Sequence, residues 1–390
     1  MIEIPIVKPP DVLQDLLNEF RPLFNRRSYR QFCRYITALW ATPTRSVAHL
    51  NGNSVEHTNQ SNLNRFLRNI PTLQIFGKSV DLINRYASDP VMIIDDTILA
   101  RSGKHIDGAD WFFDHSRGKS VWGMQFVTYA ISCSEGIFPL NVDQKVRFKI
   151  SKMVMQMTAI KRAITAGLKF STILMDSWYF GSRLIRFLEK DKKDWVTEAK
   201  SNRFILVGNE WVGLEDFSRS MNVRDMTAYM VDGKSYFMKS ITTWKKNVGK
   251  VQVIVSRGID SEKFFVTNRT DWNPRKVINL YLRRWDIEQS HREVKQDGLR
   301  HLYQRTHESL LGTAKLSPLG ELLLEISAIR SLGSRMKLGK STLELRYRVM
   351  AMRILMELFV MLEEKGQKLL DVILESIRKP YKSTIGVMGG

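Results

Sequence analysis

The sequence predicts an α/β protein in which a mixed β-sheet is flanked by helical regions at both ends of the chain. Between residues 91 and 199, short apolar runs typical of covered strands alternate with segments of helical periodicity. Before residue 86 and after residue 300, apolar residues instead recur at three- and four-residue steps. With 390 residues and a hydrophobic fraction of 43%, the chain is long enough for two or three domains with separate cores.

The charge of the chain favours an anionic polymer as partner. Lys and Arg number 60 against 40 acidic residues, which gives a net charge of +20. Nucleic acid is the first candidate and a membrane surface the second, but no apolar run approaches the ~18 residues that a membrane span needs. Two cysteines exclude a disulfide framework and a zinc site built from cysteines, and the N-terminus lacks the pattern of a signal peptide. We therefore expect a cytoplasmic protein that binds nucleic acid.

The N-terminal segment, residues 1–85, has the periodicity of helices. Two short helices, residues 45–50 and 60–68, are predicted on either side of a polar loop, which is the outline of a helix-turn-helix unit. In such a unit the second helix would offer Arg65 and Arg68 to DNA. A small helical bundle with an ordinary polar surface explains the same pattern equally well.

The central segment contains two apolar strands that end in aspartate. The run Val91–Ile94 leads into Asp95-Asp96-Thr97, and the run Ser171–Met175 leads into Asp176. Between them we predict two strands and a helix, and after them a helix and a strand, at residues 120–132, 136–146, 153–168, 181–190 and 195–199. Adjacent strands would bring the two strand-ending aspartates to one edge of the sheet.

The following segment, residues 204–270, has short β-rich runs separated by glycine-containing turns and is predicted to be an all-β insertion. After it comes a helix over residues 281–295, with Pro274 upstream and Gly298 as a stop signal. At about 100° per residue, four polar side chains of this helix fall within an arc of about 60°. They are Tyr281, Arg284, Glu288 and Lys295. Ion pairs within the helix are the plain structural explanation of these charges.

The spacing Tyr-x2-Arg-x3-Glu-x6-Lys resembles the YREK signature of bacterial cut-and-paste DDE transposases, the enzymes of insertion sequences. The resemblance implies an RNase H-like sheet whose catalytic carboxylates, Asp96, Asp176 and Glu288, bind Mg²⁺, with Mn²⁺ as a substitute. In this family the first ligand commonly precedes a threonine, which favours Asp96. Asp95 is the alternative, and because neighbouring strand residues point to opposite faces, only one of the two can face the metal ions.

The resemblance also implies a set of DNA contacts. Phosphates beside the scissile bond would be bound by the helix residues Tyr281, Arg284, Arg292 and Lys295. Trp244, or alternatively Trp211, would stack on a base in the β-rich insertion. A buried core position is the competing explanation for both tryptophans.

The implied activity is hydrolysis at the ends of a mobile element, followed by attack of the exposed 3′-OH on target DNA. Expected partners are double-stranded DNA, as inverted-repeat ends and as target, and a second copy of the chain on DNA, with no membrane and with association to the nucleoid. The predicted domains are a DNA-binding domain (1–85), a catalytic domain (86–203 and 271–300), the insertion (204–270) and a helical C-terminal region (301–390). An RNase H-like nuclease and a non-catalytic regulator derived from a transposase are the alternatives.

Overall fold

The structure of the protein is a computed structural model with two compact units, one formed by residues 79–292 and the other by residues 1–78 and 293–390. It describes residues 6, 8–41, 46–54, 58–103, 106–114, 117–146, 150–231, 233–258, 262–296, 298–302, 304, 306–332, 355, 357–364, 366–368, 370 and 371. Most of the predicted C-terminal helical region after residue 332 lies outside the described residues.

The unit of residues 79–292 is organised around one large sheet. Its strands are β1 (Val91–Ala100), β2 (Asp110–Asp114), β3 (Lys119–Cys133), β4 (Gly136–Lys145), β5 (Thr172–Met175), β6 (Asp194–Ala199), and, after the small hairpin of β7 (Phe204–Val207) and β8 (Glu210–Gly213), β9 (Thr227–Val231), β10 (Lys234–Lys245), β11 (Gly249–Arg257) and β12 (Glu262–Thr267). Within the described residues the order is β2-β3-β1-β5-β6-β12-β11-β10-β9, with β4 also paired to β3. β1, β5 and β6 are parallel, and the other pairs are antiparallel.

The helices of this unit follow the predicted alternation. They are α6 (Lys152–Thr165) between β4 and β5, α7 (Ser182–Lys190) between β5 and β6, and then α8 (Leu214–Ser220), α9 (Pro274–Leu282) and α10 (Asp286–Gln296), whose last residues belong to the other unit. The apolar runs of β1 and β5 are buried along their whole length up to the aspartates, as expected for strands covered on both faces. The predicted α/β fold with a mixed sheet is confirmed.

The segment predicted as an all-β insertion differs from that expectation in two ways. It includes helix α8, and its strands β9 to β12 continue the main sheet instead of forming a separate one. β12 pairs with β6, which gives the backbone groups of β6 partners that an edge strand would lack. Val253 and Val255 of β11 are fully buried, so the segment also adds to the core of the unit.

Gly123 lies where β3 passes between β1 and β2, paired with Ala100 on one side and Asp110 on the other. A Cβ atom at this position would lie 2.1 Å from the carbonyl oxygen of Leu99. This distance is far below van der Waals contact, and the obstacle is backbone, which cannot rotate away. The close pairing of β1 with β3 therefore depends on the missing side chain.

The other unit is helical where it is described. It comprises α1 (Asp11–Asn18), α2 (Arg26–Ala41), α3 (Val47–Gly52), α4 (Gln60–Arg68), the first half of α5 (Thr72–Tyr86) and α11 (His307–Leu332). Leu13, Phe32 and Leu322 are fully buried in its core, and the Trp40 indole donates to the Gly320 carbonyl at 3.0 Å. Among the described helices, none has both the length and the apolar character needed to cross a membrane.

Candidate active site

Asp95 and Asp176 lie side by side at the centre of the sheet. In the parallel pair of β1 and β5, Ile94 is opposite Met175, so the next residues along the two strands, Asp95 and Asp176, are neighbours. Neighbouring residues in register point to the same face of a sheet. Asp176 ends its strand and caps the 3₁₀ turn Ser177–Tyr179, where its Oδ1 accepts from the Ser177 amide at 2.5 Å.

Helix α10 and the turn before it cover this face. Arg284 is 9% exposed, and its Nη1 lies 3.6 Å from Asp95 Oδ2. Thr128, which is opposite Asp95 in the pair of β1 and β3, has its Oγ1 2.5 Å from His291 Nε2. Arg284 therefore lies beside Asp95 itself, and His291 contacts Thr128, the residue paired with Asp95.

Glu288 lies between Arg284 and His291 in the sequence. It is three residues before His291 on α10, a spacing that puts the two side chains on the same side of the helix. The Glu288 carboxylate is exposed. Glu288 thus lies on the helix that covers the face of Asp95 and Asp176, and its side chain is open to solvent.

Asp96, the predicted first ligand, points to the opposite face of β1. Its Oδ1 accepts from the Tyr179 hydroxyl at 2.6 Å and from Lys152 Nζ at 3.0 Å, and its Oδ2 accepts from Gln125 Nε2 at 2.6 Å. The structure therefore brings Asp95, and not Asp96, beside Asp176, because consecutive residues of a strand alternate between the two faces. Asp96 instead links β1 to β3, to α6 and to the turn after Asp176.

Burial raises the pKa of Asp95 to about 7. The Asp96 amide and Arg284 lower this pKa, and the neighbouring Asp96 and Asp176 carboxylates raise it. Bringing such a carboxylate into its charged form costs free energy unless a cation accompanies it. Paired carboxylates with an exposed third one are also the oxygen donor set that Mg²⁺ prefers in proteins.

The predicted DNA contacts on the helix have different environments. Tyr281 is 1% exposed, and its hydroxyl donates to Glu198 Oε2 at 3.1 Å, so it faces the core. The predicted continuous helix is divided into α9, a 3₁₀ turn at Arg283–Trp285, and α10, and the tighter turn changes the direction in which Tyr281 points relative to Glu288. Arg284 is buried, Arg292 is exposed and Lys295 is half-buried in the other unit.

The predicted DNA contacts outside this helix are accessible. Trp244 and Trp211 are 55% and 45% exposed, so the alternative that they are core residues is wrong. Arg65 and Arg68 are exposed on α4, and Arg68 Nε donates to Ser309 Oγ at 3.3 Å.

Several residues around the carboxylates were not predicted. Lys152, Tyr179 and Gln125 contact Asp96, and Glu198 contacts Tyr281. The sequence could have indicated Tyr179, because it follows the strand-ending Asp176 by three residues. The other contacts join segments that are distant in the sequence, so no local pattern indicates them. His291 also had a signal, since it lies one turn after Glu288 on the same helix side.

A separate group of carboxylates lies in the helical unit. Glu293, Glu321 and Glu325 are all buried, and their oxygens lie within 4.8 Å of one another. Each of the three has interactions with other groups. None of them belongs to the predicted catalytic set, and only the spacing of Glu321 and Glu325, one helical turn apart, was visible in the sequence.

Comparison with known proteins gives one family. The family model described as "Transposase DDE domain" matches residues 86–311, which is more than half of the chain and includes Asp95, Asp176 and Glu288. Among curated proteins, none matches this chain.

Solved structures similar to the chain include two transposase complexes. The piggyBac transposase synaptic complex with hairpin DNA has 12% sequence identity, with 90% of this chain and 76% of that chain covered and a TM-score of 0.48. The Drosophila P element transposase strand transfer complex also has 12% identity, with 53% and 55% covered and a TM-score of 0.25.

Proposed function

The chain belongs to the transposase DDE domain family, and from this premise we propose that it cuts the ends of an insertion sequence and joins them to target DNA. The observation that carries the proposal is the position of Asp95 and Asp176, side by side on parallel strands, on the face covered by the helix of Glu288. We propose Asp95, Asp176 and Glu288 as the metal ligands, and so replace Asp96 of the sequence prediction with Asp95.

The residues fit a divalent cation, and we propose Mg²⁺, with Mn²⁺ as a substitute. Two half-buried carboxylates lie side by side, burial raises the pKa of one of them, and the third carboxylate is exposed. When bound, such ions stabilise the negative charge on the attacking and leaving oxygens of a phosphodiester. The buried Arg284 guanidinium lies beside Asp95 and limits the repulsion between the carboxylates before an ion binds.

The reaction that we propose has two substitutions at phosphorus. In the first, a water oxygen attacks the phosphorus at the end of the element, the bond to the 3′ oxygen breaks, and that oxygen leaves as a 3′-OH. In the second, this hydroxyl attacks a phosphorus of the target strand, and the target 3′ oxygen leaves. No bond between protein and DNA is required at either step, so the role of the protein is to hold the ions and both DNA strands in place.

The partners in this proposal are double-stranded DNA, as element ends and as target, and a second copy of the chain on DNA, in association with the nucleoid. The net charge of +20 supports a polyanionic partner. Of the predicted phosphate contacts, the exposed Arg292 keeps that role in the proposal, and Lys295 keeps it at the end of α10. The exposed Trp244 keeps its predicted role of stacking on a base. Tyr281 and Arg284 are proposed instead to orient Glu198 and Asp95.

The test is a cleavage and joining assay with Mg²⁺ and linear DNA that carries the sequences flanking the gene. We expect cuts at the element ends and joined products. Asp95→Asn, Asp176→Asn and Glu288→Gln are each expected to lower the cleavage rate about 10³-fold or more, because a metal site contributes several kcal/mol. DNA binding by these variants should remain.

A matched control is Asp194→Asn. Asp194 is the first residue of β6, at the end of that strand away from the proposed metal ligands. Its side chain is 21% exposed, and it pairs with Arg269 at 3.0 Å. This variant should cut DNA at nearly the normal rate. Cutting without joining would identify a nuclease, and binding without cutting would identify a regulator. If Asp95→Asn cut normally and Asp96→Asn did not cut at all, Asp96 would be the ligand.

A further inference from the structure

Three neighbouring parallel strands carry acidic residues in one row. Met175 of β5 is opposite Ile94 of β1 and also opposite Thr197 of β6. The next residue on each strand is acidic, and the three are Asp95, Asp176 and Glu198. Since neighbouring residues in register point to the same face of a sheet, Glu198 extends the pair of proposed ligands by one strand. We call these three residues the acidic row.

The cations beside the acidic row lie at its two ends. Arg284 Nη1 is 3.6 Å from Asp95 Oδ2, and Lys263 Nζ is 3.7 Å from Glu198 Oε2. Asp176, in the middle, forms no ion pair with any residue that the structure describes. The part of the row between Asp176 and Glu198 is therefore the part where a cation is missing.

Two oxygens of the acidic row are open to a ligand. Asp176 Oδ1 accepts from the Ser177 amide, and Glu198 Oε2 accepts from the Tyr281 hydroxyl. The second oxygens, Asp176 Oδ2 and Glu198 Oε1, have no hydrogen-bond donor among the described residues. The Glu198 side chain is also 30% exposed, so an ion can reach it. Neighbouring carboxylates with unused oxygens are the ligands that Mg²⁺ prefers.

Tyr281 fixes the direction of Glu198. Its hydroxyl donates to Glu198 Oε2 at 3.1 Å, and its buried ring packs on Phe265 with the ring centroids 4.9 Å apart. The negative charges that raise the pKa of Tyr281 include Asp176 as well as Glu198, so the hydroxyl lies close to both carboxylates. A rigid donor that binds one oxygen of a carboxylate holds the other oxygen in place, and metal ligands are commonly supported in this way.

We propose that Glu198 is a fourth carboxylate ligand of the metal site and shares a divalent cation with Asp176. The inference rests on the proposed function, which supplies the ion. Reactions at phosphorus that use two ions need ligands for both. The order of the strands places Glu198 on the side of Asp176 away from Asp95, where neither of the other proposed strand ligands lies.

The experiment measures Mn²⁺ binding to the full-length protein without DNA, by electron paramagnetic resonance of the free ion. Glu198→Gln keeps the length of the side chain and an acceptor for Tyr281, but removes the negative charge. Loss of a group that only supports a metal ligand weakens metal binding about 10- to 100-fold, so loss of a ligand should weaken it at least about 10-fold. Asp176→Asn should abolish binding at the same site, which identifies the part of the titration that belongs to it.

A matched control is Glu262→Gln on β12. The Glu262 side chain is 32% exposed and pairs with Arg257 Nε at 2.7 Å, so the variant removes the same charge from the same sheet. It should bind Mn²⁺ within about twofold of the wild-type affinity, because salt screens the effect of a distant single charge. Thermal unfolding in EDTA is the second measurement. A purely structural Glu198 would lower the unfolding temperature of Glu198→Gln and leave its Mn²⁺ affinity unchanged.

An unchanged Mn²⁺ affinity in Glu198→Gln would overturn the inference. An equal loss in Glu262→Gln, or no saturable binding by the wild-type protein, would overturn it as well. Because binding is measured without DNA, the two proposals fail separately. A protein whose Mn²⁺ binding depends on Glu198 but which never cuts DNA would overturn the proposed function alone. A protein that cuts DNA and loses no affinity in Glu198→Gln would overturn only the inference.

Discussion

The two faces of β1 treat charge in different ways. Asp96, on one face, has three donors within 3.0 Å. Asp95, on the other face, has the Arg284 guanidinium 3.6 Å away, and burial raises its pKa to about 7. A carboxylate with several donors is compensated within the fold, whereas a carboxylate that is desolvated without them favours a cation. By this comparison Asp96 is structural and Asp95 needs a cation.

The largest effect that would sharpen this comparison is a pH dependence of stability in the metal-free protein. The pKa of Asp95 rises on folding from an ordinary value of 3.8 to about 7. Between these values the unfolded chain loses the Asp95 proton and the folded protein keeps it, so the free energy of unfolding falls as pH rises and then levels off above about 7. Asp95→Asn removes this dependence. Urea unfolding in EDTA should show a difference of up to about 4 kcal/mol between wild type and variant that develops from pH 4 to pH 7.

Parallel stability curves for the two proteins would contradict the assignment of Asp95 as the poorly ionised carboxylate. Asp194→Asn is the informative control, because it keeps the Asp95 carboxyl and should therefore lose stability with rising pH as the wild-type protein does.

The next effect is the response of stability to metal ions. If Asp95 needs a cation, saturating Mg²⁺ should stabilise the wild-type protein by about 2.7 kcal/mol at 100 times the dissociation constant. Differential scanning calorimetry would detect this as an increase in the unfolding temperature of the unit that contains the sheet. Asp176→Asn should abolish the increase, and the control Asp194→Asn should retain it. Equal stabilisation of Asp176→Asn would show that Mg²⁺ binds elsewhere, for instance at the buried glutamates of the helical unit.

The smallest effect concerns Asp96 and Tyr179. If their hydrogen bond positions the strand ends without contacting the ions, Asp96→Asn and Tyr179→Phe should each slow cleavage about 10- to 100-fold, as losses around a metal site do. The double variant should be no slower than the slower single variant, because both changes break the same link. Cleavage rates at saturating Mg²⁺ measure this directly. Multiplicative losses would show that the two residues act independently.

Local patterns were sufficient to predict the fold and the family. The apolar runs of β1 and β5 and their strand-ending aspartates identified the centre of the sheet, and the mixed α/β fold is confirmed. The resemblance to DDE transposases is confirmed by the family match. The YREK signature, the bacterial insertion sequence, Mg²⁺ and the homodimer on DNA stay predictions.

Long-range contacts decided what the sequence left open. Whether Asp95 or Asp96 lies beside Asp176 depends on the register of β1 with β5, which joins segments about 80 positions apart. The same limit applies to Tyr281, whose orientation changes at the 3₁₀ turn, and to the segment after residue 204, which pairs with β6 through β12.

The close approach at Gly123 has a consequence for mutational scanning of this protein. A side chain there would meet the Leu99 carbonyl and push β1, which carries Asp95, away from β3. In a screen for transposition, position 123 should therefore be as intolerant of substitution as the carboxylates, although it carries no functional group. Soluble yield would separate the two classes, because Gly123→Ala should reduce the amount of folded protein and Asp176→Asn should not.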